Sequence, residues 1–168
     1  MAVLAVLSAP ASALDGMSIE AGRNGNYEMA RLGVQWQWQQ RWLASDGRHL
    51  GGYWDLSAGA WRGDALAGQN DGLTDIGLTP TVRWQADDRK GFYLEAGIGA
   101  HYLSGTTIGS RRLSTRFQFG DHIGIGYRFG PKGAFDLGFR FQHLSNADIK
   151  RPNDGMDFNQ LRLQYWFD

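Results

Sequence analysis

The sequence predicts an all-β fold, an eight-stranded antiparallel up-and-down barrel, and three observations point there. Apolar and polar residues alternate with a period of two through eight successive segments, the signature of strands with two unlike faces. The 168 residues include 24 Gly, seven Trp, six Tyr and nine Phe but only four Pro, a composition suited to many short strands joined by turns. The connections alternate in length, short then long, as they do when every second turn lies at the same end of a barrel.

Each segment is justified by its phase. The first, Gly16–Arg23, sets Met17, Ile19 and Ala21 against Ser18, Glu20 and Gly22. The second, roughly Glu28–Leu43, sets Ala30, Leu32, Val34, Trp36, Trp38 and Trp42 against Arg31, Gly33, Gln35, Gln37, Gln39 and Arg41. In the third, Leu50–Trp61, Trp54, Leu56, Ala58 and Ala60 oppose Tyr53, Asp55, Ser57 and Gly59. The fourth, Thr74–Ala86, has Ile76, Leu78, Val82 and Trp84 on the apolar face and Asp75, Thr79, Thr81, Arg83 and Gln85 on the polar one. The fifth, Gly91–Leu103, opposes Phe92, Leu94, Ala96, Ile98 and Tyr102 to Tyr93, Glu95 and His101. In the sixth, Arg116–Phe129, the aromatic and Ile face breaks at Asp121, which predicts a bulge or a local contact. The seventh, Ala134–Ser145, and the eighth, Met156–Phe167, complete the set. Short turns fall at Ala44–Arg48, Asp87–Lys90 and Gly130–Gly133; longer loops span Gly63–Leu73, Gly105–Thr115 and Asn146–Gly155.

Which face looks outward separates a soluble barrel from a membrane one. The polar face carries Glu20, Arg31, Arg41, Asp55, Arg83, Glu95 and Arg140, charges of both signs that can pair inside a lumen just wide enough for side chains. Trp36, Trp38, Trp42, Trp84, Phe92, Tyr165 and Trp166 gather near strand ends, as interfacial girdles do. The terminal segment Leu161–Asp168 alternates and closes on aromatics, a pattern similar to the last strand of outer-membrane proteins. Residues 1–13 form an apolar stretch ending in Ala11-Ser12-Ala13, the pattern of a secretory signal peptide, leaving 14–168 as one transmembrane domain. These features together predict an outer-membrane β-barrel. No run of 18 apolar residues predicts a membrane helix, the absence of Cys excludes disulfides and thiolate chemistry, and zero formal net charge gives no reason to expect nucleic acid. Gly97-Ile98-Gly99 and Gly124-Ile125-Gly126 follow strand phase without a helix behind them, so they read as relief of crowding in a narrow barrel rather than nucleotide loops.

Phase also isolates a candidate site. In segment seven Phe135, Leu137, Phe139 and Phe141 share the outward phase, and His143 and Ser145 continue it. In segment eight Asp157 and Asn159 share the phase of Leu161 and Leu163. With both termini at the periplasmic end, His143, Ser145 and Asp157 meet at the upper, outward rim of two neighbouring strands. A base, a nucleophile and a carboxylate there suit an amphiphilic ester held in the membrane. Asn146, directly after the nucleophile, is a candidate donor to the oxyanion through side chain or backbone. The chemistry needs no metal and no cofactor. His49, His101 and His122 are scattered without ligand spacing and read as structural or lumen residues.

His143-Leu144-Ser145-Asn146-Ala147, then Lys150, Pro152-Asn153-Asp154-Gly155 and an acid at 157, resembles the signature of the lipid A 3-O-deacylase family. The resemblance implies an outer-membrane serine esterase that removes the acyl chain at position 3 of lipid A. It implies lipopolysaccharide in the outer leaflet as substrate, His143 as base, Ser145 as nucleophile and Asn146 near the oxyanion. The family's third member is Glu; here Asp157 stands in its place, with Asp154 in the turn as a competitor. A non-enzymatic small barrel, a soluble ligand-binding barrel and a phospholipase using the same triad are the alternative readings.

Overall fold

The computed structural model describes residues 13–167; the signal-like stretch 1–12 lies outside the described residues. Its strands are β1 (Gly16–Asn24), β2 (Tyr27–Gln37), β3 (Trp42–Ser45), β4 (Arg48–Gly63), β5 (Gly72–Ala86), β6 (Gly91–Leu103), β7 (Thr107–Ile108), β8 (Arg111–Arg112), β9 (Phe117–Phe129), β10 (Phe135–Ser145) and β11 (Met156–Trp166). Eight of them close a barrel in the order β2-β1-β11-β10-β9-β6-β5-β4, with β4 returning to β2; every pairing is antiparallel. Closure leaves no free sheet edge, which is what allows strands to cross a lipid core. Gly16 pairs with both Trp166 and Gln35, so the two chain ends and the β2 exit share one end of the barrel. The loops 64–71, 104–116 and 146–155 lie at the other, together with the two-residue Gly25-Asn26 turn.

Phase decides what is outside. Leu32, Phe92, Ile98 and Ile123 are each 65–67% exposed, within a continuous belt of exposed Leu, Ile and Phe around the wall. Such an area far exceeds the apolar patches soluble monomers expose, and it matches a lipid-facing surface. Towards the periplasmic end, Phe92, Tyr127, Phe129, Phe135, Tyr165 and Phe167 form a chain of ring contacts with centroids 4.8–6.4 Å apart. This is the aromatic girdle. Trp166 is not part of it: it takes the inward phase, is buried, and its Nε1 donates to Asp136 Oδ2 at 3.3 Å.

The lumen holds the charges. Arg83 Nη2 meets Glu95 Oε2 at 2.7 Å and its Nη1 meets Asp136 Oδ2 at 2.6 Å. Arg140 reaches Glu95 at 2.5 Å and Glu20 at 3.1 Å; Arg162 reaches Asp55 at 2.9 Å; Arg31 reaches Asp75 at 3.1 Å. Tyr53 Oη, at the centre, accepts from Arg140 and Arg162 and donates to Glu95. His49, His101 and His122 are all buried in this interior, as their phase predicts. Glycines make the room: a Cβ on Gly126 would lie 2.1 Å from Tyr93 Oη, and one on Gly97 2.6 Å from His122 Cε1.

Three expectations need correction. The second segment does not run to Leu43; β2 ends at Gln37, where Trp38 N donates to Gly52 O and the Trp38 ring covers the face of Gly52, which has no side chain to resist it. Arg41 therefore leaves strand phase and sits exposed near Asp87, 4.0 Å away, instead of in the lumen. The sixth segment has no bulge: β9 keeps an unbroken register with β6 and β10 through Asp121, so this acid points out of the barrel.

The inward face is not polar throughout. At the extracellular end Met29, Trp61, Leu73, Leu103, Ile108, Leu113, Leu144, Met156 and Phe158 form one buried apolar cluster that plugs the lumen. Below it the charges depend on one another, and removing one partner strands the rest. Replacing Glu95 by Gln is expected to destabilise the barrel by about 3 kcal/mol, seen as a lower urea midpoint for unfolding from lipid vesicles.

Candidate active site

The site is built where β10 ends and β11 begins. Leu144 lies between His143 and Ser145 and is fully buried in the apolar plug; Met156 and Phe158, on either side of Asp157, are buried in the same plug. In a strand, neighbours of an inward residue must point outward. The plug thus holds His143, Ser145 and Asp157 on the outer face.

Register then brings two of them into contact. His143 is the cross-strand partner of Asp157, and its Nδ1 lies 2.6 Å from Asp157 Oδ1, with both side chains about 40% exposed. The shorter carboxylate reaches the ring without help. Nδ1 is thereby engaged as the donor, which leaves Nε2 as the ring nitrogen able to take a proton. Ser145 follows on the same face, opposite Phe119. Asp154 is not a competitor: its Oδ2 accepts from Arg112 N at 2.7 Å, tying it to the 104–116 loop.

Asn146 is placed differently from its reading as an oxyanion donor in the resting geometry. It is buried; Nδ2 donates to the carbonyls of Leu113 and Lys150 at 2.9 and 2.8 Å, and its N–H donates to Asn153 Oδ1 at 3.1 Å. Its donors brace the 146–155 loop internally and, through Leu113, join it to the 104–116 loop. The chain then reverses in a tight turn closed by Ile149 N to Asn146 O, with Ala147 and Asp148 both at positive φ (51° and 61°). Non-glycine residues adopt this conformation at some cost in energy, and such backbone gathers at functional sites.

Two further residues belong to the site. Asp121 on β9 is the other cross-strand partner of His143, so the imidazole stands between two outward carboxylates. Its sequence signal was a charge in the lipid-facing phase of a Phe- and Ile-rich strand. Gly155, at φ 62°, passes so close that a Cβ there would lie 3.0 Å from His143 Cε1. Its sequence signal was its place in the Pro152-Asn153-Asp154-Gly155 stretch of the family motif.

The sequence profile of the family described as "Lipid A 3-O-deacylase (PagL)" matches residues 28–166. The chain belongs to this family. It is 36% identical over 168 residues to the lipid A deacylase PagL of Pseudomonas aeruginosa, covering 96% of this chain and 93% of that one. It is 34% identical over 159 residues to the lipid A deacylase PagL of Bordetella bronchiseptica, covering 90% and 83%. Its fold is similar to the crystal structure of the outer-membrane enzyme PagL, with a TM-score of 0.80 at 29% identity over 90% of this chain and 99% of that one. The Yersinia pestis outer-membrane protein Ail shares the barrel alone, with a TM-score of 0.50 at 12% identity over 91% of this chain and 99% of that one. As a member of this family the chain is an outer-membrane ester hydrolase, which sets aside the soluble-barrel and non-enzymatic readings.

Gly155→Ala adds strain at a positive φ and presses a methyl on the His143 ring. It is expected to lower kcat about tenfold, equivalent to ~1.4 kcal/mol, while the barrel keeps its heat-modifiable migration on electrophoresis.

Proposed function

We propose that this protein hydrolyses the 3-O-linked acyl ester of lipid A in the outer leaflet through a Ser145–His143–Asp157 triad. The observation that carries the reading is the 2.6 Å His143 Nδ1–Asp157 Oδ1 contact on the lipid-facing wall, two residues from a serine. Family membership supplies the substrate class.

The chemistry follows from the roles these groups can take. His143 Nε2 removes the Ser145 hydroxyl proton as Oγ attacks the ester carbonyl, and Asp157 stabilises the imidazolium that forms. Collapse of the tetrahedral intermediate breaks the bond to the sugar oxygen, which leaves with the proton from His143. Water, activated by the same base, then splits the acyl-enzyme and releases a fatty acid. The developing oxyanion needs a donor; Asn146 can serve once it exchanges one of its loop contacts. A site on the wall, at the height where headgroups meet acyl chains, meets the ester without lifting the lipid from the membrane.

Expression in an outer membrane followed by lipid A mass spectrometry is the direct test. The protein is expected to remove one hydroxyacyl chain, and Ser145→Ala and His143→Ala are each expected to abolish that loss while still assembling as barrels. Continued loss in the Ser145→Ala protein overturns the assignment. Asp157→Ala is expected to lower kcat by on the order of 10²- to 10⁴-fold, whereas Asp157→Glu keeps a carboxylate within reach of Nδ1 and retains activity; a folded but inactive Glu variant would count against this role for the carboxyl.

A further inference from the structure

Charge on the extracellular loops differs from loop to loop. The 64–71 loop carries only Asp64 and Asp71 as charged residues, and the Gly25-Asn26 turn carries none. The 104–116 and 146–155 loops carry Arg111, Arg112, Arg116, Lys150 and Arg151 against Asp148 and Asp154. These two basic loops are the ones that flank Ser145. The cations are not all free. Arg151 pairs with Asp148 at 3.0 Å, and Arg111 donates to Asp154 O at 3.1 Å while its guanidinium lies 5.7 Å from the centre of the Tyr27 ring. Arg112, Arg116 and Lys150 are exposed and have no acidic side-chain partner among the described residues.

The backbones of these three residues are nonetheless held in place. Lys150 O accepts from Asn146, the residue next to Ser145. Arg112 N donates to Asp154, the residue before the glycine that touches His143, and Arg112 O accepts from Asp154 N at 3.2 Å. Arg116 O accepts from Leu103 N at 2.8 Å at the head of β9. Two of these cations are therefore carried on backbone bonded to Asn146 and Asp154, the chain neighbours of Ser145 and Gly155, and the third on backbone at the head of β9.

We propose that Arg112, Arg116 and Lys150 form an anion-recognition site for the phosphate of the lipid substrate, holding the headgroup while its ester lies against Ser145. Guanidinium groups suit phosphate through paired N–H donors, and Lys adds a compact charge. The inference rests on the reading that Ser145 deacylates lipid A, whose sugars carry phosphate.

The test uses the full protein in detergent micelles with bisphosphorylated lipid A and with the same lipid A after enzymatic removal of its phosphates. Wild type is expected to prefer the phosphorylated substrate at least tenfold in kcat/KM, and added salt is expected to erode that preference. In Arg112→Gln/Lys150→Gln the preference is expected to fall towards one, through a higher KM for the phosphorylated substrate with a much smaller change in kcat. Lys150→Arg is expected to keep it. Because the loop contacts run through backbone atoms, these side-chain changes leave the loops joined. A wild type without preference, a double variant that keeps it, or equal losses on both substrates would overturn the proposal. Failure of the underlying reading looks different: Ser145→Ala would remain active on both lipids.

Discussion

The lumen cannot hold uncompensated charge, and the rest of the structure follows from that constraint. Arg31, Arg83, Arg140 and Arg162 share an interior too narrow for bulk water with Glu20, Asp55, Asp75, Glu95 and Asp136. Slipping one strand by a single residue would turn its arginine towards lipid, at about 2–4 kcal/mol near the midplane, and would leave the partner carboxylates unpaired. The ionic interior therefore fixes the phase of the seven barrel strands that contribute to it. The outward position of His143, Ser145 and Asp157 on β10 and β11 follows from the inward position of Arg140 and Arg162 on the same strands.

Above the ionic layer the interior changes character. The apolar plug seals the mouth, and three of its members alternate with the proposed triad: Leu144 with His143 and Ser145, Met156 and Phe158 with Asp157. The plug thus serves both closure and positioning. The loop clasp through Asn146, Asp154 and Gly155 continues this positioning outward, linking the 104–116 loop to the imidazole.

Two placements differ from the local pattern, and both have one physical origin. Extending the alternation of β2 and the girdle of β11 misplaces Arg41 and Trp166 because it goes beyond what the neighbouring elements allow. Trp38 abandons its strand because Gly52, on a different strand, offers a bare surface to cover. Trp166 turns inward because Asp136 on β10 provides an acceptor for its indole. Asp121 looked like an interruption in its own strand and became intelligible only beside His143. The contacts that hold Asn146, to Leu113 and Lys150, likewise come from the folded loops and not from its neighbours in the chain.

Sequence by itself determined the strand phases: His143, Ser145 and Asp157 face lipid because alternation is a local property of an extended chain. It also supplied the eight segments, the paired charges of the inner face and the family motif. Tertiary structure alone decided that Asp157 rather than Asp154 meets the imidazole, that Asp121 flanks it, that Gly155 packs on it, and that apolar residues from several strands and loops converge to plug the mouth. These depend on register and closure between segments far apart in the chain, which no single segment's pattern contains.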